Sequence, residues 1–321
     1  MILLTGATGL LGHYLVEALR REGFPLRLLV RNPEKAKHLQ SSNVDLIEGD
    51  ILDQASLEEA LKGIDTVIHA AGLVSFHQKD RERVMQVNAD GTALLVDACL
   101  MAGVNCLVHI SSVAAIGDTT DGTEATEHTP WQATRRTSHY ARSKRRAEME
   151  VYRGIAEGME AAILNPGVVL GYGGDWEKSS AKLYATAAKG LRFYLNGRAG
   201  VVNATDVAKA VTLLLKSEQF PSGERFILCA ENLSTLDLLG QMASSADTPA
   251  PSIPVPGWLA FAVAWILENV LGGKSSLTMA AVRGGLSRQT YDGSKIRQIG
   301  LEYEDPQAMI DELAQEWAEE V

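Results

Sequence analysis

The sequence is short of cysteine, of aromatic residues and of positive charge, and it has no long uninterrupted hydrophobic run. Its three cysteines, Cys99, Cys106 and Cys229, form no CxxC pair, so they support neither a disulfide framework nor a zinc site. A reducing, cytoplasmic setting is the expectation. Lys and Arg number 30 against 40 Asp and Glu, a formal net charge of −10 over 321 residues. Affinity for nucleic acid comes largely from neutralising phosphates, so an acidic chain argues against that partner. Charge alone would not hold it on anionic lipid either. The seven histidines show no HxxxH or HExxH spacing, and no metal is expected. The opening MILLTGATG has only four apolar residues before a glycine-rich stretch, unlike a secretory leader. The most apolar segment, Val255–Leu271, is shorter than a spanning helix and carries Glu268. It reads as a core or surface-packed helix, with a membrane-touching helix as the alternative; no membrane span is expected.

Glycine, by contrast, is plentiful: 29 residues, above the average of about 7%. In the first half, short apolar runs at Met1–Thr5, Leu26–Val30, Val44–Glu48, Thr66–His69, Cys106–Ser111 and Ala161–Asn165 read as strands. Amphipathic stretches at Leu10–Arg21, Leu57–Leu61 and Val84–Met101 lie between them. Strands this apolar, with little alternation, belong in a sheet covered on both faces. The β-α-β-α order predicts an α/β fold with a Rossmann-type doubly wound parallel sheet. After Gly167 helical segments dominate, with a further strand near Phe226–Leu228. The expectation is a dinucleotide-binding domain over 1–168 to which 200–230 return. A smaller, mostly helical substrate lobe would comprise 169–199 and 231–321.

Thr5-Gly6-Ala7-Thr8-Gly9-Leu10-Leu11-Gly12 follows the first strand and opens a helix. Gly6 permits a sharp turn, Gly9 lets backbone amides approach a pyrophosphate, and Gly12 allows close helix–strand packing. The helix N-terminus adds amide donors and a favourable dipole. About 20 residues on, where an acid would hold the ribose 2′-hydroxyl of NAD, the second strand ends in Arg31. A guanidinium suits a 2′-phosphate and cannot accept from a hydroxyl. NADP is therefore the predicted cofactor, with NAD as the alternative, and Lys35 or Lys37 assists.

Tyr140-Ala141-Arg142-Ser143-Lys144 is a YxxxK that puts both side chains on one helical face. Free tyrosine is a poor base near pH 7, and an adjacent ammonium favours its ionised form. The fifth strand ends His109-Ile110-Ser111-Ser112, at the edge where open α/β sheets bind ligands. Either serine could donate to a substrate carbonyl, or merely cap a turn. Asn88 could hold a water in a proton path or brace backbone. His77 and Trp131, in loops beyond the sheet edge, could touch substrate or pack. Leu73, Val74, Phe76 and the Pro254–Leu271 segment could wall an apolar pocket or belong to the core. The arginines at 135, 136, 142, 145 and 146 read as solvated faces, or as partners of Glu148 and Glu150.

Together these motifs resemble those of the extended short-chain dehydrogenases/reductases over nearly the whole chain. The resemblance rests on TGATGLLG at 5–12, GDI at 49–51, HAAG at 69–72, NADGT at 88–92, ISSVAAIG at 110–117, YARSK at 140–144 and NPGVVLGYG at 165–173. It implies that Gly6, Thr8, Gly9, Leu10, Leu11 and Gly12 hold the dinucleotide. Asp50 and Ile51 would flank the adenine, and Ala70, Ala71 and Gly72 the adenine-side ribose and pyrophosphate. Pro166 and Gly167 would border the nicotinamide. It further implies Ser112, five residues before Gly117, as the catalytic serine and Tyr140 as the general acid/base. Lys144 would bind the nicotinamide ribose and tune the tyrosine.

LVRNPEK after the second strand, and YDGSK at 291–295 followed by Ile299-Gly300-Leu301, resemble the dihydroflavonol 4-reductase and 3β-hydroxysteroid dehydrogenase-like branch. The hopanoid-associated sugar epimerases are similar too. Asn165 stands where many sugar-nucleotide enzymes carry Arg. The expected function is an NADP-dependent hydride transfer to or from a small carbonyl/alcohol substrate. A nucleotide-sugar epimerase or dehydratase that retains its cofactor is one alternative, and a non-catalytic dinucleotide sensor is another. The resemblance also implies a homodimer through the helices at Val84–Met101 and Tyr140–Ala156.

Overall fold

Alternation of buried strands with crossover helices begins at the second residue. In the computed structural model, which describes residues 1–119, 121–270 and 277–320, the first elements are β1 (Ile2–Thr5), α1 (Leu10–Arg21), β2 (Leu26–Val30), α2 (Pro33–Ala36), β3 (Val44–Glu48) and α3 (Gln54–Ala60). They continue with β4 (Thr66–His69), α4 (Arg81–Met85), α5 (Gly91–Ala102), β5 (Cys106–Ile110), α6 (His139–Ala156) and β6 (Glu160–Pro166). The second half adds β7 (Val168–Leu170), α7 (Ser179–Ala188), β8 (Phe193–Tyr194), β9 (Arg198–Asn203), α8 (Ala204–Lys216) and β10 (Arg225–Leu228). It ends with β11 (Glu231–Ser234), α9 (Thr235–Ser245), β12 (Ile253–Pro254), α10 (Gly257–Asn269), α11 (Met279–Gly285) and α12 (Pro306–Glu320).

Seven strands form one sheet in the order β10-β6-β5-β4-β1-β2-β3, and every pairing in it is parallel. This is the Rossmann-type doubly wound sheet expected from the sequence, and its strands end within a residue of their predicted limits. One face is closed by Leu15, Val16 and Leu19 of α1 together with Val207, Val211 and Leu214 of α8. The other is closed by Leu57, Leu95, Cys99 and Val151 from α3, α5 and α6. Each fully buried Leu or Val contributes roughly 1.5–3 kcal/mol, so the two apolar layers hold the strand ends in place. Strand order reverses between β1 and β4, which opens a crevice at their C-terminal ends.

Two expectations change. The helix expected over Val84–Met101 is not continuous: α4 ends at Met85 and a wide π turn covers Gln86–Asp90 before α5 begins. The reason is Asn88, whose side chain is tied outside the helix to the Leu73 backbone and to Ser143. The second half also holds strands that its helical appearance conceals. β11-β9-β7 form a three-stranded sheet and β12-β8 a two-stranded one. The core beside them gathers Tyr184, Leu238, Leu239, Met242, Met309 and Leu313.

The apolar segment at 255–271 contains α10, thirteen residues long, whose Ala260 and Ala264 pack with Val282 of α11. Trp258, Val263, Trp265 and Ile266 on it are exposed. Leu271 lies outside the described residues. No helix among those described is long and apolar enough to cross a membrane.

Candidate active site

The glycine loop lies at the crevice. Gly6 adopts φ +79°, and a Cβ there would meet Ala71 N at 2.5 Å and Ala70 C at 2.6 Å, so the loop rests directly on the chain leaving β4. A Cβ at Gly12 would meet the carbonyl oxygens of Gly6 at 2.3 Å and Ala7 at 2.4 Å. Gly12 is thus required by the loop's own backbone rather than by a strand. Gly9 differs, because its Cβ would approach only Gly6 O, at 3.3 Å. Thr8 and Gly9 are exposed, and Leu10 and Leu11 are half-buried beside them. α1 begins at Gly9 with no side-chain cap and no acid in its first turn. Its first amides are therefore open to an anion. An extended diphosphate fits this cradle.

A chain of hydroxyls and an imidazole fixes the floor. The Ala71 amide donates to Thr5 Oγ1 (3.2 Å), which pairs with His69 Nδ1 at 2.8 Å. His69 Nε2 pairs with Thr92 Oγ1 at 2.9 Å, and Thr92 donates to the Asn88 carbonyl at 2.6 Å. With Thr5 and Thr92 each donating onward, the network assigns His69 the Nε2–H tautomer. Burial, with the Lys144 charge assisting, lowers the His69 pKa to about 3. The imidazole stays neutral and ties β1 to β4 and to the π turn.

Arg31 and Lys35 are exposed where β2 passes into α2. Asn32 caps α2 by accepting from the Lys35 amide. Lys37 is paired with Glu34 at 2.6 Å, which leaves Arg31 and Lys35 as the open cations at this strand end. Asp50 turns the chain after β3 by accepting from the Leu52 amide at 3.0 Å, and Ile51 is buried against Gly91.

Ser112, Tyr140 and Lys144 converge at the ends of β5 and α6. Ser138 caps α6, accepting from the Ala141 amide, and the i, i+4 spacing brings Tyr140 and Lys144 to one face of that helix. Tyr140 is 8% exposed, with the Phe76 ring edge-on at 5.7 Å. Burial raises the phenol's pKa, and a hydrogen bond with Ser112 opposes the rise. The Lys144 ammonium donates to Ile110 O at 2.9 Å. Burial lowers its pKa to about 8, with the Glu148 charge acting in the opposite sense. A Cβ on Gly72 would lie 3.3 Å from Lys144 Nζ and 3.4 Å from Asn88 Oδ1.

Ser111, the other serine at this strand end, points elsewhere, donating to Glu148 Oε1 at 2.7 Å. Asn88 makes every one of its side-chain hydrogen bonds to Leu73 and Ser143. These bonds brace the backbone at Leu73. Pro166 is buried at the end of β6. Gly167 faces β9 closely, since a Cβ there would meet Gly200 O at 2.2 Å. Strand packing therefore accounts for that glycine. Trp131 belongs to a loop packed on Gly117, where a Cβ would meet Pro130 O at 2.0 Å.

Sequence reading treated Glu148 only as a surface partner of arginine. It is in fact fully buried beneath the site, one turn beyond Lys144. It accepts from Ser111, from Asn165 Nδ2 (2.6 Å) and from Arg145 (3.2 Å), and Arg225 stands 3.6 Å away. Asn165 also donates to Ser112 O at 2.9 Å. The i, i+4 spacing from Lys144 was the only signal for Glu148 in the sequence.

The chain is similar in sequence and fold to known proteins. A putative dihydroflavonol 4-reductase of Synechocystis is 32% identical, over 95% of this chain and 90% of that protein. Sterol demethylase protein B of Methylococcus capsulatus is 30% identical, over 79% and 77% respectively. The crystal structure of gox2253 superposes with a TM-score of 0.85 at 28% identity, covering 99% of this chain and 98% of that one. The profile of the NAD dependent epimerase/dehydratase family matches residues 2–229, from β1 to just past β10. With the loop, the crevice and the YxxxK helix all inside that match, the chain belongs to the NAD-dependent epimerase/dehydratase family, on the dihydroflavonol 4-reductase-like branch of the extended short-chain dehydrogenases/reductases.

Proposed function

We propose that the protein is an NADP-dependent reductase that acts on a carbonyl group through Ser112, Tyr140 and Lys144. The observation that carries this reading is a buried Tyr140 one helical turn from a buried Lys144, which donates to Ile110 O at the sheet edge where β5 runs into Ser112 and which the glycine loop also reaches. Bound NADPH would supply the hydride. Ser112 would donate to the carbonyl oxygen, and Tyr140 would give its phenolic proton to that oxygen as negative charge develops there. A phenol kept protonated by burial is in the right form for this step. Lys144 would stabilise the resulting phenolate and hold the cofactor ribose. Asn88 would act as a positioning residue, through Leu73 and Ser143. Arg31, with Lys35, would take the 2′-phosphate, and the open α1 amides the pyrophosphate.

Tyr140→Phe removes the proton donor with little change of shape. Turnover should fall by at least about 1,000-fold, while NADPH affinity stays within a few-fold. The assay should follow net NADPH oxidation, because an enzyme that returns the hydride to its substrate would show none. Turnover retained in Tyr140→Phe, or a carbonyl conversion without net oxidation, would overturn the reading.

A further inference from the structure

Beside Tyr140, residues from α4, α6, α10, α11 and the loops before α4 and α6 line an open cleft of about 400 Å³. Its charge runs opposite to that of the molecule. The chain carries a net −10, yet the lining presents Arg81, Arg135, Arg142 and Arg283 against a single carboxylate, Glu268. Arg142 is fixed in place by donating to Thr134 O at 2.5 Å and Thr137 O at 3.4 Å. Among the described residues, no carboxylate forms an ion pair with any of the four. Arg283 instead lies over the Phe261 ring at 5.8 Å.

Unpaired guanidinium groups that face one cavity repel one another, and an anion between them removes that repulsion. Their planar forks match carboxylate or phosphate oxygens in bidentate fashion. The N-terminus of α6 opens on the same space, with no acid in its first turn, and its dipole acts in the same direction. The cavity also adjoins the reacting group. Phe76 lines it while meeting the Tyr140 ring edge-on, and His139, which precedes Tyr140, lines it too. His139 Nε2 is bonded to Ser75 O at 2.8 Å, which holds the ring as part of the wall.

We infer that this cavity receives an anionic group, a carboxylate or a phosphate, carried by the substrate whose carbonyl meets Tyr140. The inference rests on the reductase reading for the position of the carbonyl, and on the cavity alone for the anion.

Three aldehydes of matched shape test it: benzaldehyde, 4-carboxybenzaldehyde and 4-formylphenyl phosphate. Their binding to the full chain is measured calorimetrically with saturating NADP⁺, which permits no reduction. One of the charged aldehydes should bind at least about ten-fold tighter than benzaldehyde, and which one distinguishes carboxylate from phosphate. That gain should shrink as NaCl is raised, and should fall at least about five-fold in Arg135→Gln/Arg283→Gln. Arg20→Gln/Arg21→Gln, an equal loss of charge on a distant exposed helix end, should keep it. Equal affinity for charged and neutral aldehydes, or a gain that survives the double substitution, would overturn the inference. Turnover with NADPH is then read separately. Reduction without any anion preference would leave the reductase reading standing and sink this one. Arginine-dependent anion binding without reduction would do the reverse.

Discussion

At the scale of single residues, the site depends on charges that burial makes costly. Lys144 is 6% exposed, and its pKa is lowered to about 8, against about 10.4 for an unperturbed lysine. A lysine whose folded pKa is depressed works against stability below that pKa, where both states are protonated but the folded one holds the charge poorly. Between pH 8 and pH 10.4 the unfolded chain binds the proton more tightly than the folded one, so stability from this residue rises with pH. Against Lys144→Met, which cannot titrate, the wild type should therefore gain about 1.4 kcal/mol between pH 7 and pH 9. Urea unfolding of both proteins at the two pH values reads the difference directly. An unchanged gap would mean that Lys144 titrates normally. Part of this arrangement was legible beforehand, since YxxxK placed Tyr140 and Lys144 on one helical face and the serines at the strand end beside them. The choice of Ser112 over Ser111 rested on the family pattern. Ser111 donates to Glu148, while Ser112 caps the turn after β5, accepting from the Ala114 amide at 3.2 Å. What spacing could not convey was burial. Glu148 reads like any polar residue on a charged helix, and only the fold places it under the sheet edge beside Asn165.

At the scale of elements, the first βαβ unit was plain because its strands are apolar but for Thr5 and Arg27 and its helix is amphipathic. The second half was opaque for physical reasons. β7, β8 and β12 are two or three residues long, too short to show alternation, and their partners are distant in sequence. The π turn at Gln86–Asp90 was hidden too, because it depends on Asn88 reaching the Leu73 backbone. The three glycines of the loop look equivalent in sequence, but the structure separates them. Gly12→Ala would force a methyl group against backbone oxygens at 2.3 and 2.4 Å, an overpacking that costs about 1–3 kcal/mol. Its urea midpoint should fall, and cofactor binding should weaken with it. Gly9→Ala meets only Gly6 O at 3.3 Å, so the midpoint should hold to within about 0.5 kcal/mol. Cofactor affinity should nevertheless drop by at least about ten-fold, because the methyl would stand where a phosphate approaches the amides. Equal losses of stability in the two variants would contradict this division of roles.

At the scale of the whole molecule, a net charge of −10 coexists with cations placed where anions are expected: Arg31 and Lys35 at the end of β2, and the arginines around the cavity. Average charge therefore says little about such local clusters of cations. The fold also makes the molecule one unit for cofactor binding. α8 and β10 bring the second half of the chain back onto the sheet, packing on α1 and pairing with β6. A dinucleotide held at the β1 and β4 ends should thus raise a single unfolding transition rather than protect one lobe. At a concentration about 100 times its dissociation constant, NADPH would contribute about 2.7 kcal/mol. With roughly 2 °C per kcal/mol for a chain of this size, the melting temperature should rise by about 5 °C. NADH at the same concentration lacks the phosphate that Arg31 would hold. Charge-assisted hydrogen bonds contribute about 1.5–3 kcal/mol, so its shift should be visibly smaller. In Arg31→Asp the order should reverse, because a carboxylate repels the 2′-phosphate and accepts from the 2′-hydroxyl. Thermal unfolding of both proteins with each cofactor decides the matter. A wild type that responds equally to NADPH and NADH, or an Arg31→Asp variant with the wild-type order, would remove Arg31 from cofactor selection while leaving the catalytic reading intact.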